Sequence, residues 1–356
     1  MKSDVAIAGA GLTGRLLAWR LASQGLKVEV FDAGPINETS RAAAYTAAAM
    51  LSPLSELVAS EKEIFDLGMA SIPLWQQWCE ELEIPECFHQ AGSLVIAHSG
   101  DLQELTQFER DLSFKLPSAE SGWKKINQQS HLAELEPDLN PEFNQGIYLP
   151  EEAHLDHFQV MEQLLIKAQH AGAVFHSETP VENIDSLQAQ WIIDCRGFGR
   201  KADKNTGDQN QLRGVRGEVI TLECKDFHLN RPVRLMHPRY KLYLVPKPEH
   251  RFVLGATELE SEDRSEISLR SAMELMSALY TISPALAEAR IVKTDSNLRP
   301  AYFDNLPQIK TELIQTEVSP KEQSNDKQII SINGLYRHGY LIGPALVEKV
   351  EKQILA

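Results

Sequence analysis

The chain has 356 residues, with 35 basic against 50 acidic side chains and a formal net charge of −15. At roughly 150 residues per domain this suggests about two domains with ample core. So acidic a chain repels phosphates, which argues against nucleic acid or an anionic membrane as its main partner. Its 4 widely spaced cysteines, with no C-x-x-C, argue against a zinc frame or a disulfide scaffold.

No stretch of about 18 apolar residues occurs, so no membrane span is expected. The N-terminus enters an apolar strand without a charged leader. The expectation is a cytoplasmic protein.

Residues 4–8 read as a short buried strand. Residues 12–24 read as a helix with an apolar face at Leu12, Leu16, Leu17 and Leu21. Gly25 stands where a helix-ending glycine belongs, and 27–32 alternate like a second strand. This unit predicts a parallel sheet. Residues 60–83 look helical, with Pro73 breaking the run; 92–97 look like a strand and 101–115 like a surface helix. The stretch 117–147 reads as loops and short helices. Residues 156–171 are an amphipathic helix capped by Asp156, followed by strand-like 173–181 and a buried strand at 191–197.

Residues 215–223, 233–236, 241–246 and 251–257 then follow as strands without a long helix between them, which predicts an antiparallel sheet. Residues 268–280 are helical, 290–300 a strand, 311–327 an exposed loop or hairpin excursion, 329–334 a strand and 344–355 a closing helix. The fold class is therefore mixed α/β: a discontinuous Rossmann-like nucleotide domain with an inserted antiparallel-sheet substrate domain.

Gly9-x-Gly11-x-x-Gly14 lies between the first strand and the first helix. The first glycine allows the tight turn, the second admits a pyrophosphate to the helix N-terminus, and the third lets helix and strand pack closely. Asp32 ends the second strand, where its carboxylate can accept ribose hydroxyls. These residues do not separate NAD from FAD. Continuing through Ala18 to Gly25, the motif resembles the FAD-binding version.

Three further segments resemble the D-amino-acid oxidase superfamily, within it the glycine oxidase branch associated with thiamine biosynthesis. They are 47–51 followed by Glu56; 215–218 with 243–246 and 255–257; and 298–300 with 304–307 and 333–339. The resemblance implies FAD held by residues 1–88, 149–213 and 298–356, and a substrate domain of 89–148 and 214–297. It implies oxidation of a small amino acid with O2 reduced to hydrogen peroxide. A dehydrogenase of the same fold and a flavin-binding protein without turnover remain the alternatives, and a homo-oligomer stays open.

The resemblance assigns Arg299 as the clamp for the substrate carboxylate, with Tyr243 reaching the same group and Arg337 near the flavin edge. Arginine suits that role because its planar fork matches a carboxylate. Met50 would face the flavin or the substrate. Leu12, Thr13, Arg41 and Ala48 join the cofactor contacts. Val181 matches a position whose backbone holds the adenine. Gly197, Gly334, His338, Gly339, Tyr340 and Leu341 would bring backbone close to the flavin. The segment Asp194-Cys195-Arg196-Gly197 departs from the family pattern, and Cys195 reads as a small buried residue. Lys241 stands where some glycine oxidases have histidine. His154, Asp156 and His157 read as a cap with polar contacts; no metal site is expected.

Overall fold

The computed structural model describes residues 3–37, 40–117, 122–203, 211–238, 241–314 and 327–356. Strand β1 (Ser3–Ala8), helix α1 (Leu12–Ser23) and strand β2 (Val28–Phe31) form the expected opening unit, with β1 and β2 parallel. α1 ends as its glycine predicts: Gly25 has φ +86° and donates its N–H back to the Ala22 carbonyl at 2.9 Å.

After β3 (Met50–Leu51) and α2 (Pro53–Leu57), helix α3 runs from Lys62 to Glu81 straight through Pro73. Here the structure corrects the expected break. Ile64, Leu67, Ile72, Trp75 and Trp78 form one buried face of α3, and tertiary burial outweighs the proline penalty. The chain continues through β4 (Phe88–His89), β5 (Ser93–Ala97) and α4 (Leu102–Lys115). Residues 117–147, expected to hold no strand, contain β6 (Lys124–Ile126) and the start of β7 (Gly146–Leu149), separated by α5 (Gln129–Leu135). At three and four residues these strands are too short to show alternation.

β8 (Ala153–Leu155), α6 (His157–His170), β9 (Val174–His176) and β10 (Ala189–Asp194) follow. Asp156 precedes α6 but its side chain makes no capping hydrogen bond, contrary to expectation. β11 (Arg213–Glu223), β12 (Val233–Met236), β13 (Lys241–Lys247) and β14 (Arg251–Gly255) precede α7 (Leu269–Ile282). β15 (Arg290–Ala301), β16 (Gln308–Ile314), β17 (Lys327–Asn333) and α8 (Gly339–Leu355) complete the described chain.

One sheet has the order β16-β17-β10-β1-β2-β9, parallel except for the β16–β17 pair. The excursion expected at 311–327 is in part strand, since 311–314 belong to β16 and Lys327 opens its antiparallel partner β17; residues 315–326 lie outside the described residues, as does the side chain of Lys241. The second sheet has the order β15-β11-β14-β13-β12-β5-β7-β6. It is mixed rather than antiparallel throughout, because β12 pairs with β5 in parallel. The chain crosses to the first sheet between those two strands, so no hairpin constrains their direction. A small third sheet joins β3, β8 and β4.

α8 begins at Gly339, five residues earlier than expected, and contains Pro344. Pro344 has no N–H for the carbonyl of Tyr340 one turn back. The indole Nε1 of Trp75 donates to that carbonyl instead, at 2.7 Å, and the amide of Ala345 donates to Ser71 Oγ at 3.1 Å. Thus α3 braces the first turns of α8. Replacing Trp75 with Phe keeps an aromatic ring, though a smaller one, and leaves a buried carbonyl unpaired. The expected loss of stability is about 1–3 kcal/mol in denaturant unfolding; an unchanged midpoint would remove the brace.

Candidate active site

The glycine loop follows β1. Gly9 has φ +101°, and its amide donates to the Phe31 carbonyl at 2.7 Å. A methyl on Gly9 would sit 2.5 Å from the Cys195 carbonyl oxygen, and one on Gly14 would sit 1.9 Å from the Gly9 carbonyl oxygen. On Gly11 it would meet only the Ala42 Cβ, at 3.8 Å. The backbone is therefore crowded at Gly9 and Gly14 and open at Gly11. Asp32 accepts from the amides of Ala10 (2.7 Å) and Gly34 (2.9 Å). The carboxylate expected to hold a ribose also fixes the loop, and it retains further acceptor sites.

A cavity of about 1730 Å³ starts at this loop. Gly9, Gly11, Leu12, Thr13, Asp32 and Arg41 line it at one end, with Val181 and Gly197 on its wall. Ala48, Met50, Tyr243, Arg299 and Arg337 line it farther on, together with His338, Gly339, Tyr340 and Leu341. Two expected residues are not at its wall. Gly14 lies behind the loop, between α1 and β1. Gly334 has φ +75° and packs on Tyr302, 2.3 Å from where a Cβ would stand.

The second sheet supplies a rank of side chains at the far end. Arg234 on β12 lies directly opposite Tyr243 on β13, and Tyr243 lies opposite Gly255 on β14. Gly255 leaves the space that the phenol occupies, since a Cβ there would stand 2.6 Å from the Tyr243 hydroxyl. Burial raises the Tyr243 pKa, so the phenol keeps its proton. Arg299 on β15 lies against Gly217, where any Cβ would meet its guanidinium. Its Nη1 donates to the Thr257 carbonyl at 3.0 Å.

Glu56 on α2 ties this end together. Its carboxylate accepts from Arg337 Nε at 2.7 Å and from Arg234 Nη2 at 3.3 Å, with His338 Nδ1 3.4 Å away. Burial alone would raise the Glu56 pKa, but Arg337, then His338 and Arg234, outweigh it and hold it at about 2. Burial lowers His338 to about 4, against the pull of Glu56. Arg337 also donates to Glu258 at 2.9 Å. Glu56 is itself held in place: the neighbouring Ser55 donates its amide and hydroxyl to the buried Glu152.

Behind Ala48 and Met50, Lys247 donates its ammonium to the carbonyls of Ala48 (2.8 Å) and Leu155. Burial lowers its pKa to about 7. Between about pH 7 and pH 10 the unfolded chain carries a proton that the folded chain has shed, so Lys247 makes stability rise with pH there. Against Lys247→Met, the wild-type advantage should grow by at most about 1.4 kcal/mol per pH unit across that window. Urea unfolding at pH 7, 8 and 9 checks this, and parallel profiles would refute it.

Val181 gives its carbonyl to Arg196 Nη1 at 2.7 Å. Arg196 also pairs with the buried acids Asp194 and Asp203, and Arg200 with Asp194. Cys195 lies at the cavity wall, and burial raises its thiol, which keeps it a poor nucleophile. Tyr340 lines the cavity, while its hydroxyl donates to the Ala44 carbonyl at 3.3 Å. His154 stacks on His89 and His157 meets Phe158 at a tilt of 38°, with ring centroids 4.7 and 4.2 Å apart. Ring contacts dominate around both imidazoles, which are buried and held neutral by burial, and His157 keeps one of the expected polar contacts, with the backbone of Tyr45. The described residues include no group of three side chains suited to a metal.

The sequence pattern of the FAD dependent oxidoreductase family matches residues 4–350. This chain belongs to that family. It is 34% identical to a protein named for thiamine biosynthesis, the oxidoreductase ThiO of Rhizobium etli, over 99% of this chain and 96% of that one. It is 22% identical to glycine oxidase of Bacillus subtilis over 96% of this chain and 90% of that one. The crystal structure of glycine oxidase from Geobacillus kaustophilus superposes with a TM-score of 0.82 at 22% identity, covering 99% and 95% of the two chains.

The protein is thus an FAD-dependent oxidoreductase of the D-amino-acid oxidase superfamily, in its glycine oxidase branch. Its residues fit the family's cofactor. The crowding at Gly9 and Gly14 shapes a cradle that side chains would fill, and Gly11 opens it to the cavity. Sequence reasoning missed Arg234, Glu258 and Lys247, and it left Glu56 without a role. Arg234 carried one usable signal, its register opposite Tyr243 across two neighbouring strands. The Glu56–Arg337 pair spans 281 positions and carried none.

Proposed function

We propose that the protein oxidises glycine, or a similarly small amino acid, to the imino acid, with O2 reduced to hydrogen peroxide. The observation that carries this reading is the convergence of Arg299 and the protonated Tyr243 in the cavity that begins at the glycine loop. When bound, FAD supplies the hydride acceptor. The chain's own work is positioning. Arg299 offers its remaining donors to the carboxylate, and Tyr243 adds a hydroxyl donor. Glu56 and Glu258 hold Arg337 at the rim, and neutral His338 stands at the start of α8. In the overall reaction glycine, O2 and water give glyoxylate, ammonia and hydrogen peroxide.

In this reading Leu12 and Thr13 present the orphan amides of α1 to the pyrophosphate, and Asp32 receives the ribose. Val181 borders the adenine. Arg41, Ala48, Met50 and Gly197 line the cofactor, with the first amides of α8 from Gly339 to Leu341 at its flavin end. Residues 1–88, 149–213 and 298–356 carry FAD, and 89–148 and 214–297 carry the substrate. β15 spans that last boundary and so delivers Arg299 from one part to the other.

The likeness to ThiO of Rhizobium etli supports a place in thiamine biosynthesis, where the imine of glycine feeds the thiazole ring. The free Cys79, Cys87, Cys195 and Cys224 support a reducing, cytoplasmic setting. No helix among the described residues is long and apolar enough to cross a membrane.

The test is to mix the air-equilibrated holoenzyme with glycine and follow the visible spectrum and peroxide together. Bleaching with peroxide supports the oxidase. Bleaching without peroxide replaces it by a dehydrogenase, and a spectrum inert to every small amino acid removes the reading.

A further inference from the structure

The far end of the cavity holds more positive groups than one carboxylate requires. Arg299 faces Tyr243 from β15, and Arg234 stands beside Tyr243 on the neighbouring strand. Directly opposed residues of an antiparallel pair have Cβ atoms about 4.5–5.5 Å apart, so Arg234 lies within reach of a second group on a ligand held at Tyr243. Arg234 Nε is buried without a hydrogen-bond partner, and its Nη2 has a single long bond, 3.3 Å, to Glu56. Arg337, by contrast, has two short bonds, to Glu56 and Glu258.

The charges around Glu56 give a simple count. Arg234, Arg299 and Arg337 contribute three positive charges, and Glu56 and Glu258 two negative ones. His338 contributes none at neutral pH, and burial pushes Glu152, the other acid near Arg234, toward its neutral form. The balance is one positive charge, matched to one carboxylate. Removing the charge of Glu56 would raise the balance to two. It would also release Arg234, while Arg337 keeps Glu258.

We propose that Glu56 limits the substrate to amino acids with a single anionic group, by holding Arg234, a latent second anion-binding group on the same sheet face as Tyr243. The substrate class rests on the function proposed above; the charge balance does not. Glycine and its small analogues with uncharged side chains satisfy the site as it stands. An amine bearing two carboxylates brings a negative charge toward Glu56, and like charges in a low-dielectric site are costly.

The test compares acetate with malonate as probes of the oxidised holoenzyme at pH 8, read by the shift of the flavin spectrum, and glycine with iminodiacetate as substrates. The wild type should favour acetate over malonate. Glu56→Gln and Glu56→Ala should each raise the malonate-to-acetate affinity ratio at least tenfold, and shift kcat/KM toward iminodiacetate in the same direction. Adding Arg234→Met to either variant should abolish the gain. A ratio unchanged within threefold in both Glu56 variants overturns the proposal, and so does a gain that survives Arg234→Met. If the wild type oxidises neither amine, the proposed function falls, while the acetate and malonate affinities still decide the role of Glu56.

Discussion

Arg299→Met is expected to lower kcat/KM for glycine by roughly 30- to 5000-fold, the equivalent of about 2–5 kcal/mol for removing one partner of an enclosed, hydrogen-bonded charge pair. The geometry explains why the loss should be so large. The guanidinium lies close against Gly217 and is anchored by the Thr257 carbonyl, so its fork is pre-set before substrate arrives. Methionine retains the stem volume but none of the donors. Arg299→Lys should recover little, because an ammonium on a flexible stem cannot reproduce the planar fork. FAD content should remain at the wild-type level, which separates lost substrate binding from lost folding. Stopped-flow reduction of the holoenzyme over a range of glycine concentrations measures the effect. A change below threefold would remove Arg299 from the site.

The second large effect is expected at the glycine loop, as a contrast between two neighbours. Gly14→Ala places a methyl 1.9 Å from the Gly9 carbonyl oxygen and 3.1 Å from its carbon. Both are backbone atoms and cannot rotate away. Gly9 cannot retreat either, because its amide is bonded to Phe31 and the Cys195 carbonyl closes its other side. α1 must then move off β1. The expected cost is about 3 kcal/mol or more, at the upper end of overpacking, with FAD lost on purification. Gly11→Ala meets nothing closer than 3.8 Å. Its apoprotein should unfold at the wild-type denaturant midpoint while binding FAD more weakly, since the methyl occupies the approach to the helix N-terminus. Equal apoprotein stabilities for the two variants would show that Gly14 does not set the helix–strand distance.

The parts of the molecule legible in the sequence are those governed by local sterics. Gly9 and Gly14 announce a close backbone approach that a side chain would block, Gly11 an open approach to the helix N-terminus, and Gly25 a helix end whose φ of +86° favours glycine. The parts that were not legible depend on distant partners. Pro73 and Pro344 read as helix boundaries, yet α3 and α8 run through them. Burial along α3 outweighs its proline, and Trp75 and Ser71 supply what α8 lacks. β6 and β7 are too short for a periodic signal. The parallel pairing of β12 with β5 joins segments whose relation only the completed sheet defines. Glu56 could be noticed as a residue, but not as the partner of Arg234 and Arg337.

The strand order of the first sheet also constrains synthesis on the ribosome. β1 pairs with β2 on one side and with β10 on the other, in a register running from Ser3↔Ala189 to Ala8↔Asp194. At about 5–20 residues per second, roughly 10–40 s separate the emergence of β1 from that of β10. Throughout that interval the apolar run from Val5 to Ala8 has an unfilled edge, and such edges invite aggregation. α1 and β2, made within the next two dozen residues, can shield one face and one edge. A nascent chain arrested before residue 189 should therefore depend on chaperones far more than one released after β10 has joined.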